Sequence, residues 1–388
     1  MVRPESVMTW DSKDIMELRL EFVKFASQEG ANRRALCRQY GISPKTGYKW
    51  IRRYEQGDTA LADRCRRPIH SPSRTAADVE ARVVELRQAQ PAWGAPKIAR
   101  RMSDLGCDRT PSPSTVTRIL HRHGLISAES STAALPWQRF EHAHPNDLWQ
   151  MDFKGCIELD SGARCAPFTV LDDHSRFDLA LDACGSTPTR VVREHLRAVF
   201  RRYGMPLRIN ADNGPPWGSP ARSGQLTALA IWLIRLGIRI SYSRPRHPQT
   251  NGKDERFHRT LKAELLAGRH FKNLKSAQQA FDAWRQVYNH ERPHQALDMA
   301  TPISRYQPSP RAYPERMPPI EYGDADAVVR VGLNGEVRFR SQRFKVSSAL
   351  ANLPIALRAC PGTDGCYDVY FLHHRIDTVN LKERSRSS

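Results

Sequence analysis

Three acidic side chains stand where a carboxylate is out of place. Asp152 falls mid-strand in WQMDFKG, Asp212 follows the short apolar run of INADNGP, and Glu255 lies in HPQTNGKDERFHRTLK, just inside a helix that begins after a Gly-containing loop. A charge inside a strand is unfavourable unless a partner holds it. The C-terminal end of a buried strand is where open α/β sheets place ligands. Hard divalent cations bind through oxygen, often by a few carboxylates together with substrate phosphates. Two such ions roughly 3.5–4 Å apart clamp the attacking and leaving oxygens of an in-line phosphoryl displacement. Without a cation, clustered carboxylates repel one another and resist ionisation. If the three acids converge on one edge of a sheet, the chemistry they fit is therefore metal-assisted phosphoryl transfer.

Helix register ranks the acids of the last motif. Glu255, His258, Arg259 and Lys262 recur at i, i+3, i+4 and i+7, so they are expected to share one polar face that offers an acid and three groups for a phosphate backbone. Phe257, Leu261 and Leu265 define a packing face, towards which Asp254 leans. Other candidates read as structural. Asp172 and Asp173 sit in VLDDHSRF, a hairpin turn where Asp serves local hydrogen bonds. Asp147 and Asp160 fall at strand ends in solvent, and His247 reads as a DNA or packing contact. No G-x-S-x-G occurs, and no cysteine shows an evident histidine partner.

The elements that must carry these residues follow from patterning. Strands are expected at 147–159, 165–171 and through FDLALDA, then a helix over 188–203, a buried strand at 206–211, a helix at 223–236 and a strand at 238–243. Helices after Gly252 and over 275–289 complete the segment. Three strands followed by alternating strands and helices make a mixed α/β sheet. In front of it, RRALCRQYGISPKTGYKWIRRY spells a helix, a turn and a second helix with Ser43 as N-cap and Pro44 at its first position. This is helix-turn-helix grammar. With Gly47, Trp50, Ile51 and Tyr54 inward, Lys45, Thr46, Lys49, Arg52 and Arg53 are expected to face DNA. The linker at 58–75 adds Arg64, Arg66 and Arg67 as phosphate contacts. A second helical unit at 76–125 ends in a helix capped by Ser112 and Pro113, with Thr115, Thr117, Arg118 and Arg122 as outer-face candidates.

Charge agrees with that assignment. The 388 residues hold 60 Lys+Arg against 41 Asp+Glu, a net +19. Such an excess predicts an acidic polymer as partner, nucleic acid ahead of membrane. No apolar run reaches the roughly 18–20 residues of a spanning helix, and the eight cysteines form no C-x-x-C pair, which disfavours a disulfide framework or zinc ribbon. A reduced cytosolic protein is expected. After a Pro-rich linker at 307–322, β-rich runs around Leu333-Asn334-Gly335 predict a small antiparallel barrel or sandwich. Arg330, Arg338, Arg340, Arg343 and Lys345 on its strands serve nucleic acid or edge protection equally well.

The settings of the three acids resemble the Asp-Asp-Glu core shared by retroviral integrases and bacterial insertion-sequence transposases. WQMDF, ADNGP and HPQTNGKDERFHRTLK carry the resemblance, and YNHERPHQALDMATP (288–302) matches the close of that core in transposases. It covers about 140–306. The resemblance implies a ribonuclease-H-like fold in which Asp152, Asp212 and Glu255 are catalytic and hold two Mg²⁺ ions, with Mn²⁺ as substitute. It also implies that Asn251, Arg259 and Lys262 touch the DNA end. One departure is that 42 residues separate Asp212 from Glu255, more than is usual in integrases, which the stretch PPWGSPARSG explains as an enlarged loop. The retroviral His-His-Cys-Cys zinc module is absent, and helix-turn-helix units stand in its place.

The expected organisation is a helix-turn-helix domain at 1–57, a basic linker at 58–75, a second helix-turn-helix domain at 76–125 and a linker at 126–140. The catalytic core follows at 141–306, then the Pro-rich linker at 307–322 and a β-rich domain at 323–388. The function expected is that of a transposase in the bacterial cytoplasm, associated with the nucleoid. It would bind terminal inverted repeats and perform metal-dependent cleavage and strand transfer between element ends and target DNA. A homodimer or larger assembly would do this on double-stranded DNA, with no membrane and no small-molecule substrate. Two alternatives are a catalytically inactive sequence-specific repressor and a ribonuclease-H-type nuclease, which alone would cut RNA–DNA hybrids.

Overall fold

Ser43 and Pro44 act as their types dictate. In the computed structural model, which describes residues 14–63, 75–126, 141–212, 214–218, 226–242 and 252–384, Ser43 Oγ accepts the Thr46 backbone N–H at 3.2 Å and opens helix α3 (Pro44–Glu55). Helices α1 (Ile15–Ala26) and α2 (Arg33–Gln39) precede it. Gly41 turns the chain between α2 and α3 at φ +64°, a left-handed conformation that glycine adopts without steric cost. Gly47 is required for space instead. A Cβ there would stand 2.5 Å from Cys37 Sγ, so a larger residue would force α2 away from α3. Phe22, Val23, Cys37, Trp50, Ile51 and Leu61 form the core of this first compact unit, residues 1–74. Ser43→Ala is expected to destabilise the unit by about 1 kcal/mol through the lost cap, read as a lower urea midpoint in far-UV circular dichroism.

Lys45, Lys49 and Arg52 are exposed as expected, and Thr46 is half-buried. Arg53 is not. It stands one turn beyond Trp50, so helix geometry carries it inward. Its guanidinium donates to Asp58 and to the Ala62 carbonyl (2.8 Å) and lies 4.7 Å from the centre of the Trp50 ring. Arg53 therefore braces the end of α3 and is not free for a phosphate. Arg64, Arg66 and Arg67 lie outside the described residues.

Residues 75–388 make the second unit. It opens with α4 (Ala77–Ala89), α5 (Ala95–Asp104) and α6 (Pro113–Arg122). They pack around Val83, Trp93, Ile98, Met102, Val116, Ile119 and Leu120. On α6, Arg118 is exposed and donates to Thr115 Oγ1 (3.1 Å), Thr117 donates back to the Pro113 carbonyl (3.0 Å), and Arg122 stands 3.3 Å from Glu80.

The central sheet comprises β1 (Trp149–Phe153), β2 (Ile157–Glu158), β3 (Arg164–Asp172), β4 (Asp178–Cys184), β5 (Arg208–Ala211) and β6 (Arg239–Tyr242). β3 pairs antiparallel with β1, β2 and β4, whereas β1, β5 and β6 run parallel. A parallel return needs a crossover, which α7 (Thr189–Tyr203) provides between β4 and β5. With α8 (Ala228–Arg235) it covers one face, setting Val192, Leu196, Phe200, Trp232 and Leu233 against Trp149, Met151, Phe168 and Ile209. The other face is covered by α9 (Gly252–Leu261) and α10 (Leu274–His290). These bring Phe257, Leu261, Phe281, Trp284 and Tyr288 onto Leu171 and Leu181. Each buried side chain of this size contributes about 1.5–3 kcal/mol. Covered on both faces, β3 is buried beyond its first residue and reads as a continuous apolar run rather than an alternating one.

A π-helical turn, Lys262–Leu266, follows α9 and swings Glu264 inward. Its carboxylate accepts from Arg292 Nε at 2.9 Å and Trp284 Nε1 at 3.3 Å, and Lys97 of α5 stands 3.9 Å away. Val287 of α10 packs on the α4–α6 core, and Arg101 pairs with Glu291 at 2.5 Å. The three-helix unit is thus docked on α10.

The tail holds β7 (Ala327–Arg330), β8 (Glu336–Phe339), β9 (Gln342–Lys345), β10 (Pro354–Ala359), β11 (Cys366–Phe371) and β12 (His374–Asn380). They form a four-stranded sheet, β12-β11-β10-β7, and a separate β8–β9 hairpin. Among the described residues neither sheet closes, so the expected barrel is not formed. Ile231 and Ile234 of α8 join Val337, Phe344, Ile355, Val369 and Phe371 in one core. The apolar face that a barrel would bury inside itself is instead buried against the central domain. Arg338, Arg343 and Lys345 on the hairpin are exposed. No helix among the described residues is long and apolar enough to cross a membrane.

Candidate active site

Strand register brings the first two acids together. On β1, Trp149 and Met151 enter the core beneath α7 and α8, so alternation turns Gln150 and Asp152 to the face beneath α9. On β5, Ile209 and Ala211 enter the same α7/α8 core, turning Asn210 and Asp212 the opposite way. Gln150 and Asn210 are register partners on these parallel strands. Two residues further along lie Asp152 on β1 and Asp212 immediately after the end of β5, and continued alternation directs both to one face. They repel. Burial first, and then the charge of Asp212, pushes the Asp152 carboxyl up to about 6.

Helix α9 closes over this face. Thr169 is the register partner of Asp152 on β3, and its hydroxyl donates to the Asp152 carbonyl at 3.0 Å. The same hydroxyl oxygen is 2.9 Å from His258 Nε2. Asp173 fixes the start of the helix: its carboxylate holds Lys253 Nζ at 2.5 Å and accepts from Gln150 Nε2 at 2.9 Å. Asp172 accepts from the backbone N–H of Asn146 and of Ser175 and from the Ser175 hydroxyl. Asp172 holds the turn, as its setting suggested, whereas Asp173 ties β1 and α9 to it.

The faces of α9 differ from the expected ones. At 100° per residue, His258 lies 40° from Asp254, and it is buried together with Asp254, Phe257 and Leu261, while Glu255, Arg259 and Lys262 are exposed. His258 is thus not a DNA contact. Its Nδ1 stands 3.9 Å from Asp152 Oδ2, and its Nε2 stands 3.9 Å from Asp254 Oδ1. Burial, then Lys154, holds this imidazole down to about 4, so it is neutral at pH 7. Asp254 is only 3% exposed. Burial and the neighbouring Asp152, Asp178 and Glu255 raise its carboxyl well above the usual range. Asp152, Asp254 and His258 each offer a ligand atom within 4.8 Å of the others. Sequence reasoning took Asp254 for a residue leaning on the packing face; the i, i+4 spacing of Asp254 and His258 is the signal that pairs these two, while Asp152 joins them only in the fold. Asn251, His247 and most of PPWGSPARSG lie outside the described residues.

A second constellation was also missed. His195 Nδ1 stands 2.7 Å from Asp182 Oδ2, and its Nε2 stands 3.3 Å from Cys184 Sγ, so one cysteine does have a histidine partner. It arises because Asp182 and Cys184 are two apart on β4 and point together at α7. Asp182, then Cys184, raises the imidazole to about 10. A raised folded pKa adds stability below the unfolded value near 6.5, and that stability is lost as pH rises through about 10. The difference in melting temperature between the wild type and His195→Ala should therefore be largest below about pH 6.5, shrink as pH rises towards 10, and level off above it.

Comparison with known families agrees with this architecture. Integrase core domain families match residues 142–248 and 236–302. A helix-turn-helix domain matches 18–69 and a homeodomain-like domain 46–120. The C-terminal domain of IS481 family transposases matches 326–387. Residues 142–302 carry an integrase core domain. The insertion element IS407 uncharacterized 31.7 kDa protein of Burkholderia multivorans is 32% identical over 48% of this chain and 62% of its own length. The insertion element IS476 uncharacterized 39.2 kDa protein of Xanthomonas euvesicatoria is 30% identical over 61% of this chain and 66% of its own. The chain thus spans just under two thirds of these relatives. Among solved structures, the simian T-cell lymphotropic virus intasome in complex with PP2A regulatory subunit B56 gamma is 16% identical, with a TM-score of 0.36 over 76% of this chain and 99% of that one.

Proposed function

We propose that this integrase core cleaves and joins DNA strands as a transposase, with Asp152, Asp212 and Glu255 as the metal-holding triad. The observation that carries the reading is the placement of Asp152 on β1 and Asp212 just beyond β5, two residues past the paired Gln150 and Asn210 of these parallel strands. There the Asp152 carboxyl is pushed up to about 6 by burial and then by Asp212. Two carboxylates side by side are a poor arrangement for stability and a good one for a shared cation. Oxygen donors fit Mg²⁺, with Mn²⁺ as substitute. Bound divalent cations supply activation of the attacking oxygen and compensation of charge on the leaving oxygen.

The chain itself supplies position. Lys253, held by Asp173, anchors the first turn of α9 and so fixes where Glu255 projects. Arg256, Arg259 and Lys262 line the exposed side of the same helix and offer cationic contacts to phosphates of the DNA end. Lys45, Lys49 and Arg52 on α3, with Arg118 on α6, are the exposed candidates for reading the duplex. Residues 1–57 and 76–125 would recognise terminal repeats, and 141–306 would act on the ends. A dimer or larger assembly on nucleoid DNA would hold two ends at once. The test is incubation of the protein with Mg²⁺ and linear duplexes carrying the element's ends. Joined products are expected with those ends and not with scrambled ones. Cutting of RNA–DNA hybrids without regard to end sequence would overturn the reading in favour of a ribonuclease-H-type nuclease.

A further inference from the structure

We propose that Asp254 and His258, with Asp152, form a cation site of mixed oxygen and nitrogen character that takes a divalent transition metal such as Mn²⁺, Co²⁺ or Zn²⁺ in preference to Mg²⁺. The site shares Asp152 with the triad proposed above, but it requires neither Glu255 nor any DNA chemistry.

Three observations carry it. First, Asp254 Oδ1 is buried and has no hydrogen-bond partner among the described residues. Such an oxygen is costly to leave bare, and it points at a cluster whose ligand atoms lie within 4.8 Å of one another. Second, the imidazole is set as a ligand. The Thr169 hydroxyl gives its proton to the Asp152 carbonyl, so the contact at 2.9 Å is donated by His258 Nε2–H. The lone pair is then left on Nδ1, which faces the Asp152 carboxylate at 3.9 Å. The protonated Nε2 is the nitrogen 3.9 Å from Asp254 Oδ1, so Asp254 reaches the ion from the far side of the ring edge by a side-chain rotation. An outer hydrogen bond that fixes tautomer and ring orientation is the usual companion of a metal-bound histidine. Third, the spacing is within reach of one ion. Ligands about 2.0–2.2 Å from one ion stand roughly 3–3.6 Å apart. His258 Nδ1 and Asp152 Oδ2 are 3.9 Å apart and all three ligand atoms lie within 4.8 Å of one another, so side-chain movements of up to roughly 1–2 Å close the site. A neutral imidazole beside carboxylates suits the transition ions and not Mg²⁺, which prefers oxygen and water.

The test uses the full chain, without DNA, titrated with Mn²⁺ alone and followed by pulsed electron paramagnetic resonance. Nitrogen-14 modulation from a directly bound imidazole is expected in the wild type and in Glu255→Gln, and its loss in His258→Gln. The near-isosteric Asp254→Asn should weaken Mn²⁺ binding at least about tenfold, and circular dichroism should show both variants folded. Mg²⁺ should compete only in large excess. Absence of the nitrogen signal in the wild type, its persistence in His258→Gln, or unchanged affinity in Asp254→Asn would overturn the proposal. Failure of the end-joining assay with the nitrogen signal intact would count against the transposase reading alone.

Discussion

Glu255→Gln should bind DNA ends as the wild type does and lose Mg²⁺-dependent joining by at least about 1000-fold, on the order of 4 kcal/mol of transition-state stabilisation. Gln keeps the volume of the side chain and removes only its charge, and Glu255 is exposed on α9, so folding should be unaffected. Asp152→Asn is expected to abolish joining equally and to behave differently in a melt. Asp152 faces Asp212 along the sheet and contributes to the raised carboxyl of Asp254. Removing its charge relieves both repulsions, so the melting temperature of the metal-free protein should hold or rise while activity vanishes. Such opposition of stability and activity is expected where like charges are gathered for function. Joining within about tenfold of wild type in either variant would sink the triad assignment.

Glu264→Ala should cost about 3–5 kcal/mol of stability, because it strands buried cations. Glu264 and Arg292 side chains are 5% and 8% exposed, and their contact at 2.9 Å is shared with Lys97 and Trp284. Lys97 is already pushed down to about 8 by burial and by Arg292, so loss of the one carboxylate between them leaves two cations facing each other without compensation. Glu264→Gln, which retains an acceptor, should cost less. Urea denaturation followed by tryptophan fluorescence measures both. A loss below about 1 kcal/mol for the alanine variant would place the pair among those that contribute little.

The central fold was legible because its signals are local. Ser43-Pro44 and Ser112-Pro113 mark helix starts, and the apolar run at 165–171 reads as a strand. The order of strands and helices then leaves few topologies. The positions of Asp152 and Asp212 were legible for the same reason, since each is tied to a strand of evident period. The remainder depends on side chains meeting across elements. Arg53 reads as a DNA contact until Asp58 is seen beneath it, and His258 reads as polar surface until Thr169 of another strand reaches it. Closure of the tail into a barrel depended on partners of β8 and β9 that four-residue strands cannot announce. Cys184 and His195 lie on different elements, so their pairing has no sequence signature.

The docking of the α4–α6 unit on α10, through Val287, Arg101–Glu291 and Lys97–Glu264, sets a length. A duplex held by α6 would meet the carboxylates at one offset, counted in base pairs, as along a ruler fixed to the workbench. Insertions between the recognised sequence and the cleaved bond would turn the scissile phosphate away from the site by about 34° for each base pair added, so the spacing itself becomes part of what is recognised.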